Sequence, residues 1–201
     1  MLWSKKMFRK LLVCIVCCLP LTVLAQDELS QEDLEHLLRI KIRTVQTFAL
    51  NPILVEAVRL QNEQDLSLET IQQRDKKWSE SDRLTAFKLS LQRNKAGRFL
   101  KRNVDANDAI AEAFLTDNQG ANVAAYPITS DYWQGDEEKW IEAYNNGNGK
   151  IYIGPIENDA SSNTLSVQIS APVIDDTATI GVLVMGITLN YLQDKQQVSQ
   201  N

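Results

Sequence analysis

The chain is poor in the residues that most hydrolytic and metal chemistry needs. It has one histidine, His36, and three cysteines, all of them within its first 18 residues. A Ser–His–Asp triad using anything but His36, a Cys–His pair and a multi-histidine zinc site therefore cannot be assembled. His36 falls on an amphipathic segment near the start and reads as a surface helix residue. Carboxylate-dependent hydrolysis stays formally open, but nothing in the spacing of the acidic residues demands paired acids in one cleft. No metal, cofactor or catalytic residue is expected.

The cysteines fall in a stretch that reads as an export signal. Lys5, Lys6, Arg9 and Lys10 form a basic start, and Leu11 to Leu24 is apolar apart from Thr22 and a break at Pro20. Val23-Leu24-Ala25 supplies small-residue cleavage chemistry before Gln26. The apolar run is shorter than the roughly 20 residues a membrane-spanning helix needs, so residues 1–25 are expected to be a cleaved secretory signal, an uncleaved anchor being the lesser alternative. Its removal leaves 17 basic against 26 acidic residues, a net charge of −9. That surface disfavours nucleic acid and anionic membrane as partners. The exported domain would also hold no disulfide and rely on core packing.

Residues 26–201 read as a single α+β domain, helical over 30–104, with a sheet and one helical insertion over 110–190. Ser30 followed by Asp33 resembles a capping box. Leu34, Leu37, Leu38, Val45, Phe48 and Ala49 then recur at helical spacing. The long helix is expected to loosen at Asn51-Pro52, since proline biases the preceding residue away from helical torsions, and to resume through Val55 to Leu60. Its apolar stripe is expected to meet the core, a dimer seam through Leu37 or Leu38 being the alternative. A short helix within Asp65–Ser81 follows, then one continuous helix from Asp82 to Lys101, placed by Leu84, Phe87 and Leu91.

The pattern then changes to strands. Ala113–Thr116 and Val123–Tyr126 flank the turn Asp117-Asn118-Gln119-Gly120, a hairpin. Leu165, Val167, Ile169 and Ala171 alternate with polar residues, and Ile180–Leu189 is nearly continuous apolar sequence, as in a central strand covered on both faces. Between the hairpin and the later strands lie Thr129 to Tyr144. These sixteen residues hold two of the four tryptophans and two of the five tyrosines, with Asp131, Gly135 and Asp136. An aromatic, polar excursion between strands is what the wall or lid of a small-ligand pocket looks like. Asp136-Glu137-Glu138 suits a helix start, with Asp136 as its cap, and Trp140, Ala143 and Tyr144 share one face of that helix.

The order and spacing of these pieces resemble the Cache (PDC) sensor domains, PAS-like extracytoplasmic ligand-binding modules of chemoreceptors, sensor kinases and cyclases. The matching pieces begin with Ala49-Leu50-Asn51-Pro52 and the hairpin Phe114–Val123, and continue with Ser130–Trp140. The last are Lys150-Ile151-Tyr152-Ile153-Gly154-Pro155, Ala171-Pro172-Val173 and Ile180-Gly181-Val182-Leu183. The resemblance implies a long N-terminal helix packed on a five-stranded antiparallel sheet, with a pocket on the opposite face. Tyr132, Trp133, Asp136 and Trp140, with Asp131 beside them, would wall or cap a small polar molecule there. Tyr126, Tyr152 and Gln168 would reach in from strands.

Two departures bear on the ligand. Amino-acid-binding members carry an arginine two residues before the insertion's tryptophan, where this chain has Glu138, and an aspartate in the final strand, where it has Gly186. Both halves of the amino-acid clamp are missing, so free α-amino acids are not expected to bind by that mode, and Glu138 would favour a cation or a neutral ligand. A third departure is that only Asn190 to Asn201 follow the last strand. The expected function is an exported small-molecule-binding sensor module acting in signal transduction without catalysis and reporting through a membrane sensor protein. The alternative is an interaction protein with a vestigial pocket that binds such a partner or homodimerises through its long helix.

Overall fold

The computed structural model describes residues 31–159 and 164–189. The signal segment, Ser30 of the capping box and the C-terminal tail lie outside the described residues. Helix α1 runs Gln31–Ala49 and helix α2 Pro52–Asn62. The break between them follows from Pro52, which opens α2, and from Asn51, which adopts extended torsions (φ −67°, ψ 128°) and accepts the Ile53 N–H on its side chain at 2.9 Å. Helix α3, Leu68–Ser79, starts on the Ser67 hydroxyl, which accepts from the Thr70 N–H.

The single helix expected over Asp82–Lys101 is two: α4, Ala86–Arg93, and α5, Lys95–Asp105. Asn94 divides them. Its backbone turns extended (ψ 174°), its Oδ1 accepts the Gly97 N–H at 2.7 Å, and its Nδ2 donates to the Val123 carbonyl at 2.8 Å. A side chain that caps one helix and ties it to a strand supplies what a continuous helix would have given that backbone.

The strands are β1 (Ile110–Thr116), β2 (Asn122–Tyr126), β3 (Tyr152–Asp159), β4 (Thr164–Asp175) and β5 (Ala178–Thr188), with helix α6 (Glu138–Tyr144) between β2 and β3. They form one antiparallel sheet in the order β2-β1-β5-β4-β3. The apolar β5 is its central strand, as its sequence requires, and Val182 to Met185 are fully buried. On one face Val167, Ile169, Ala171, Leu183, Met185 and Ile187 pack on α1 and α2, while α5 lies on β1 and β2. Leu37, Val45 and Ala49 belong to this core, so the apolar stripe of α1 meets the chain's own sheet, as expected. The α+β class, with the long helix on one face of a five-stranded antiparallel sheet, is the observed architecture.

The opposite face is only half covered. Phe114, Ala125, Val182 and Val184 pack under Ala143, Trp140 and Tyr144 of α6 and against Tyr152 of β3. Beyond that patch, along the same strands, the face is open.

A cleft on the open face of the sheet

Strand alternation decides which side chains reach the open face. In register across the three inner strands, Phe114 lies beside Val184 and Ser170 under α6, and two residues along, Glu112 lies beside Gly186 and Gln168. That second row is the floor of a cleft of about 490 Å³, walled by Gly154, Pro155 and Glu157 of β3 and by Ser166. Glu137 and Lys139, at the start of α6, close one side as an ion pair of 2.6 Å, the Lys139 ammonium also lying 5.5 Å from the centre of the Phe114 ring.

Glu112 and Gln168 belong to strands flanking β5 and meet above it: Gln168 Nε2 donates to Glu112 Oε1 at 2.7 Å. Gly186 makes this possible. A Cβ there would stand 2.6 Å from Glu112 Cγ and 3.0 Å from Oε1, so any side chain at 186 would displace the carboxylate. The final strand lacks an acid at this point, and an acid from β1 occupies the space.

The residues singled out in the sequence separate into distinct groups. Gln168 is in the cleft. Trp140 and Tyr152 belong to the packed patch at its end: Trp140 stacks on Tyr144 (4.8 Å between ring centres, 13°), and its indole N–H donates to the Asp117 carbonyl at 3.3 Å. The Tyr152 phenol is raised above its ordinary pKa, first by partial burial and then by the neighbouring Glu138 carboxylate. Glu138 itself is exposed.

Tyr132 and Trp133 do not face the cleft. Tyr132, 1 % exposed, is the centre of a separate cluster with Ile71, Trp78, Leu91 and Ala121, its ring 5.8 Å from Trp78 and 5.2 Å from Phe87. Burial raises its phenol pKa. Trp133 donates its indole N–H to the Gln119 carbonyl at 2.8 Å. Their backbone is held on both sides. Asp75 Oδ1 on α3 accepts the N–H groups of both Tyr132 (2.8 Å) and Trp133 (3.0 Å). Across from it, the Asn122 N–H donates to the Tyr132 carbonyl and the Gln134 N–H to the Gly120 carbonyl. Gly120 and Gly135 allow this approach, a Cβ on Gly120 falling 2.4 Å from the Gly135 backbone. The aromatic stretch thus joins α3 to the hairpin through backbone hydrogen bonds on both of its sides.

Three residues lie elsewhere. Tyr126 points to the helix-covered face, because Ala125 takes the open one; its hydroxyl accepts from Lys101 Nζ at 2.9 Å, and it borders a second hollow beside α4. Asp131 accepts from Ser130 on its carboxylate, and its carbonyl receives Asn122, Thr129 and Gln134 side chains, a turn arrangement. Asp136 is exposed and does not cap α6, whose N-cap is Glu137, without a side-chain hydrogen bond. Gly135 packs between Trp133 and the hairpin, a Cβ there falling 2.4 Å from Trp133 Nε1 and 2.5 Å from the Gln119 carbonyl oxygen.

Sequence reasoning missed Glu112 and Asp75. Glu112 could have been suspected from the glycine in the central strand, a mark of close approach by another group. Asp75 carried no local sign, since its partners lie 57 and 58 residues away.

No family model and no curated protein matches the chain. Among solved structures it is similar to the sensor domain of the histidine kinase DctB of V. cholerae, at 17 % identity over 77 % of this chain and 57 % of that one, TM-score 0.35. It is also similar to the ligand-binding domain of the Pseudomonas fluorescens chemoreceptor CtaA in complex with L-serine, at 11 % identity over 80 % and 55 %, TM-score 0.42. A third is the ligand-binding domain of a Pseudomonas aeruginosa amino acid chemoreceptor in complex with GABA, at 14 % identity over 80 % and 62 %, TM-score 0.40. The chain spans a little over half the length of these domains. The expectation that free α-amino acids do not bind by the usual mode gains no support.

Proposed function

We propose that this chain is an extracytoplasmic sensor module that binds a small polar molecule and serves signal transduction without catalysing a reaction. The observation that carries the reading is the cleft on the open face of the sheet. It has the volume of a small-ligand site and a floor of converging polar groups, set in a sheet whose other face is fully packed. The oriented carboxylate of Glu112 and the amide of Gln168 give a ligand direction. In this reading Gln168 contacts the ligand, and Trp140 and Tyr152 stiffen the end wall. Tyr132, Trp133 and Asp131 keep the insertion in place. Tyr126 and Asp136 take no part.

The same strands provide a route for the signal. In β4 and β5, Gln168 and Gly186 face the cleft while Val167, Ile169, Met185 and Ile187 face the α1 side. A ligand that shifts these strands moves the surface on which α1 lies. The basic and apolar N-terminal segment would carry the domain out of the cytoplasm, to the periplasm, where a membrane sensor protein would receive the output. Among the described residues no helix is long and apolar enough to cross a membrane.

Thermal-shift measurements on the purified protein against neutral, anionic and cationic small metabolites test the reading. Gly154→Leu provides the control, because a Cβ there meets only ordinary contacts of 3.4 Å and longer while the side chain would fill the cleft. At least one compound should raise the Tm of the native protein by several degrees and leave that of Gly154→Leu unchanged. Stabilisation by no compound, or equal stabilisation of the variant, contradicts it.

A further inference from the structure

The charges around the cleft do not cancel. Lys139 is the cation in its lining, and its ammonium is bound to Glu137, the two side chains 17 % and 35 % exposed. That leaves Glu112 on the floor and Glu157 at the wall, two carboxylates with no cation within ion-pair reach among the described residues. Hydrogen-bond polarity points the same way. An ionised carboxylate only accepts, so Gln168 must turn its NH2 to Glu112, which leaves the Gln168 oxygen as an acceptor. Glu112 Oε2 adds further acceptor capacity to the same floor, where the Ser166 hydroxyl can accept as well as donate.

From this we infer that the cleft takes a small organic ammonium ion, seated on Glu112, and prefers amines that carry no carboxylate. The inference rests on the reading of the cleft as the ligand site. A single oriented carboxylate and an amide oxygen suit the few donors of an ammonium group; a hard divalent cation takes six or more oxygens, and no group of three metal-binding side chains converges among the described residues. A carboxylate on the ligand would find the one nearby ammonium already held by Glu137 and would face Glu112 and Glu157. The net negative charge of the chain draws cations to the cleft and repels anions. Gly186 is part of the device, since it alone leaves Glu112 the space above β5.

Isothermal titration of the purified protein with 1,4-diaminobutane, 4-aminobutanoate and butanoate tests this with one chain length and three charge states. The diamine should bind tightest and butanoate not at all. Glu112→Gln, nearly identical in shape, should weaken the diamine tenfold or more while the Tm of the free protein changes little. Gly186→Ala, which displaces the Glu112 side chain, should weaken it by a similar factor. Diamine affinity unchanged in Glu112→Gln, or tighter binding of butanoate, overturns the inference, as does weak non-saturating binding of the diamine that the variant shares. If amines fail to bind but an uncharged or anionic compound stabilises the native protein and not Gly154→Leu, the amine preference falls and the cleft remains the ligand site. If no compound distinguishes those two proteins, both readings fall.

Discussion

Asp117 is buried at the turn between β1 and β2, where its Oδ1 accepts the N–H groups of Gln119 (2.9 Å) and Ala121 (2.8 Å), and its Oδ2 accepts from Gln61 of α2 at 3.1 Å. Burial raises its carboxyl above the ordinary carboxylate range, outweighing the hydrogen bonds, which act in the opposite direction. Between the ordinary and the raised value the native state therefore binds more protons than the unfolded chain. The stability gained is fully present below that window and is lost as pH rises through the folded value. Asp117→Asn keeps the acceptor for the turn and lets the Gln61 amide turn round. It should flatten this part of the pH dependence at a cost within about 1 kcal/mol, whereas Asp117→Ala, which strands two turn donors, should cost about 2–4 kcal/mol. Urea denaturation between pH 4 and 7 reads both, and a native-like pH profile in Asp117→Asn would contradict the assignment. The hairpin turn itself was legible from its residue types. The burial of its aspartate was not, because the groups that cover it, Gln61 and Trp140, come from 56 residues before and 23 after.

At the scale of elements, local chemistry and long-range chemistry part company. Pro52 and the preceding asparagine announce the break between α1 and α2, and the apolar run of β5 announces a central strand; both signals are carried by neighbouring residues. The break at Asn94 was hidden, since an asparagine within an amphipathic pattern looks alike whether its side chain faces water or caps a helix. Its second partner, Val123, is 29 residues away. The surroundings of the aromatic stretch were hidden for a related reason: composition shows that tyrosine and tryptophan will be covered, but not which neighbour covers them. Asp75 holds that stretch by accepting two hydrogen bonds on a single oxygen. Asp75→Ala should cost about 2–3 kcal/mol through two donors left unpaired, and hydrogen exchange should quicken at the amides of Tyr132 and Trp133 and not in β5. Uniform quickening would mean that the stretch is integral to global folding and not a local tie.

Over the whole molecule, the sheet separates two tasks. One face meets α1, α2 and α5 in the main core; the other carries α6 at one end and the cleft at the other. The two-layer arrangement was readable from the order of periodicities, helical then alternating. The cleft was readable only in part. Gln168 and Gly186 stood out, but Glu112 joins them from β1, 56 residues before Gln168, and Gly154 joins from β3 through the β3–β4 pairing, neither of which a local pattern records. If the domain is a sensor, this cleft, and no other part of its surface, receives the ligand. Amide chemical-shift mapping of the purified protein with the metabolite that raises its Tm most tests the claim directly. The largest shifts should gather at Glu112, Gly154, Gln168 and Gly186, fading toward α1. Shifts centred on the hollow beside α4, from Tyr126 to Ser130, or spread along the outer surface of α1, would contradict it.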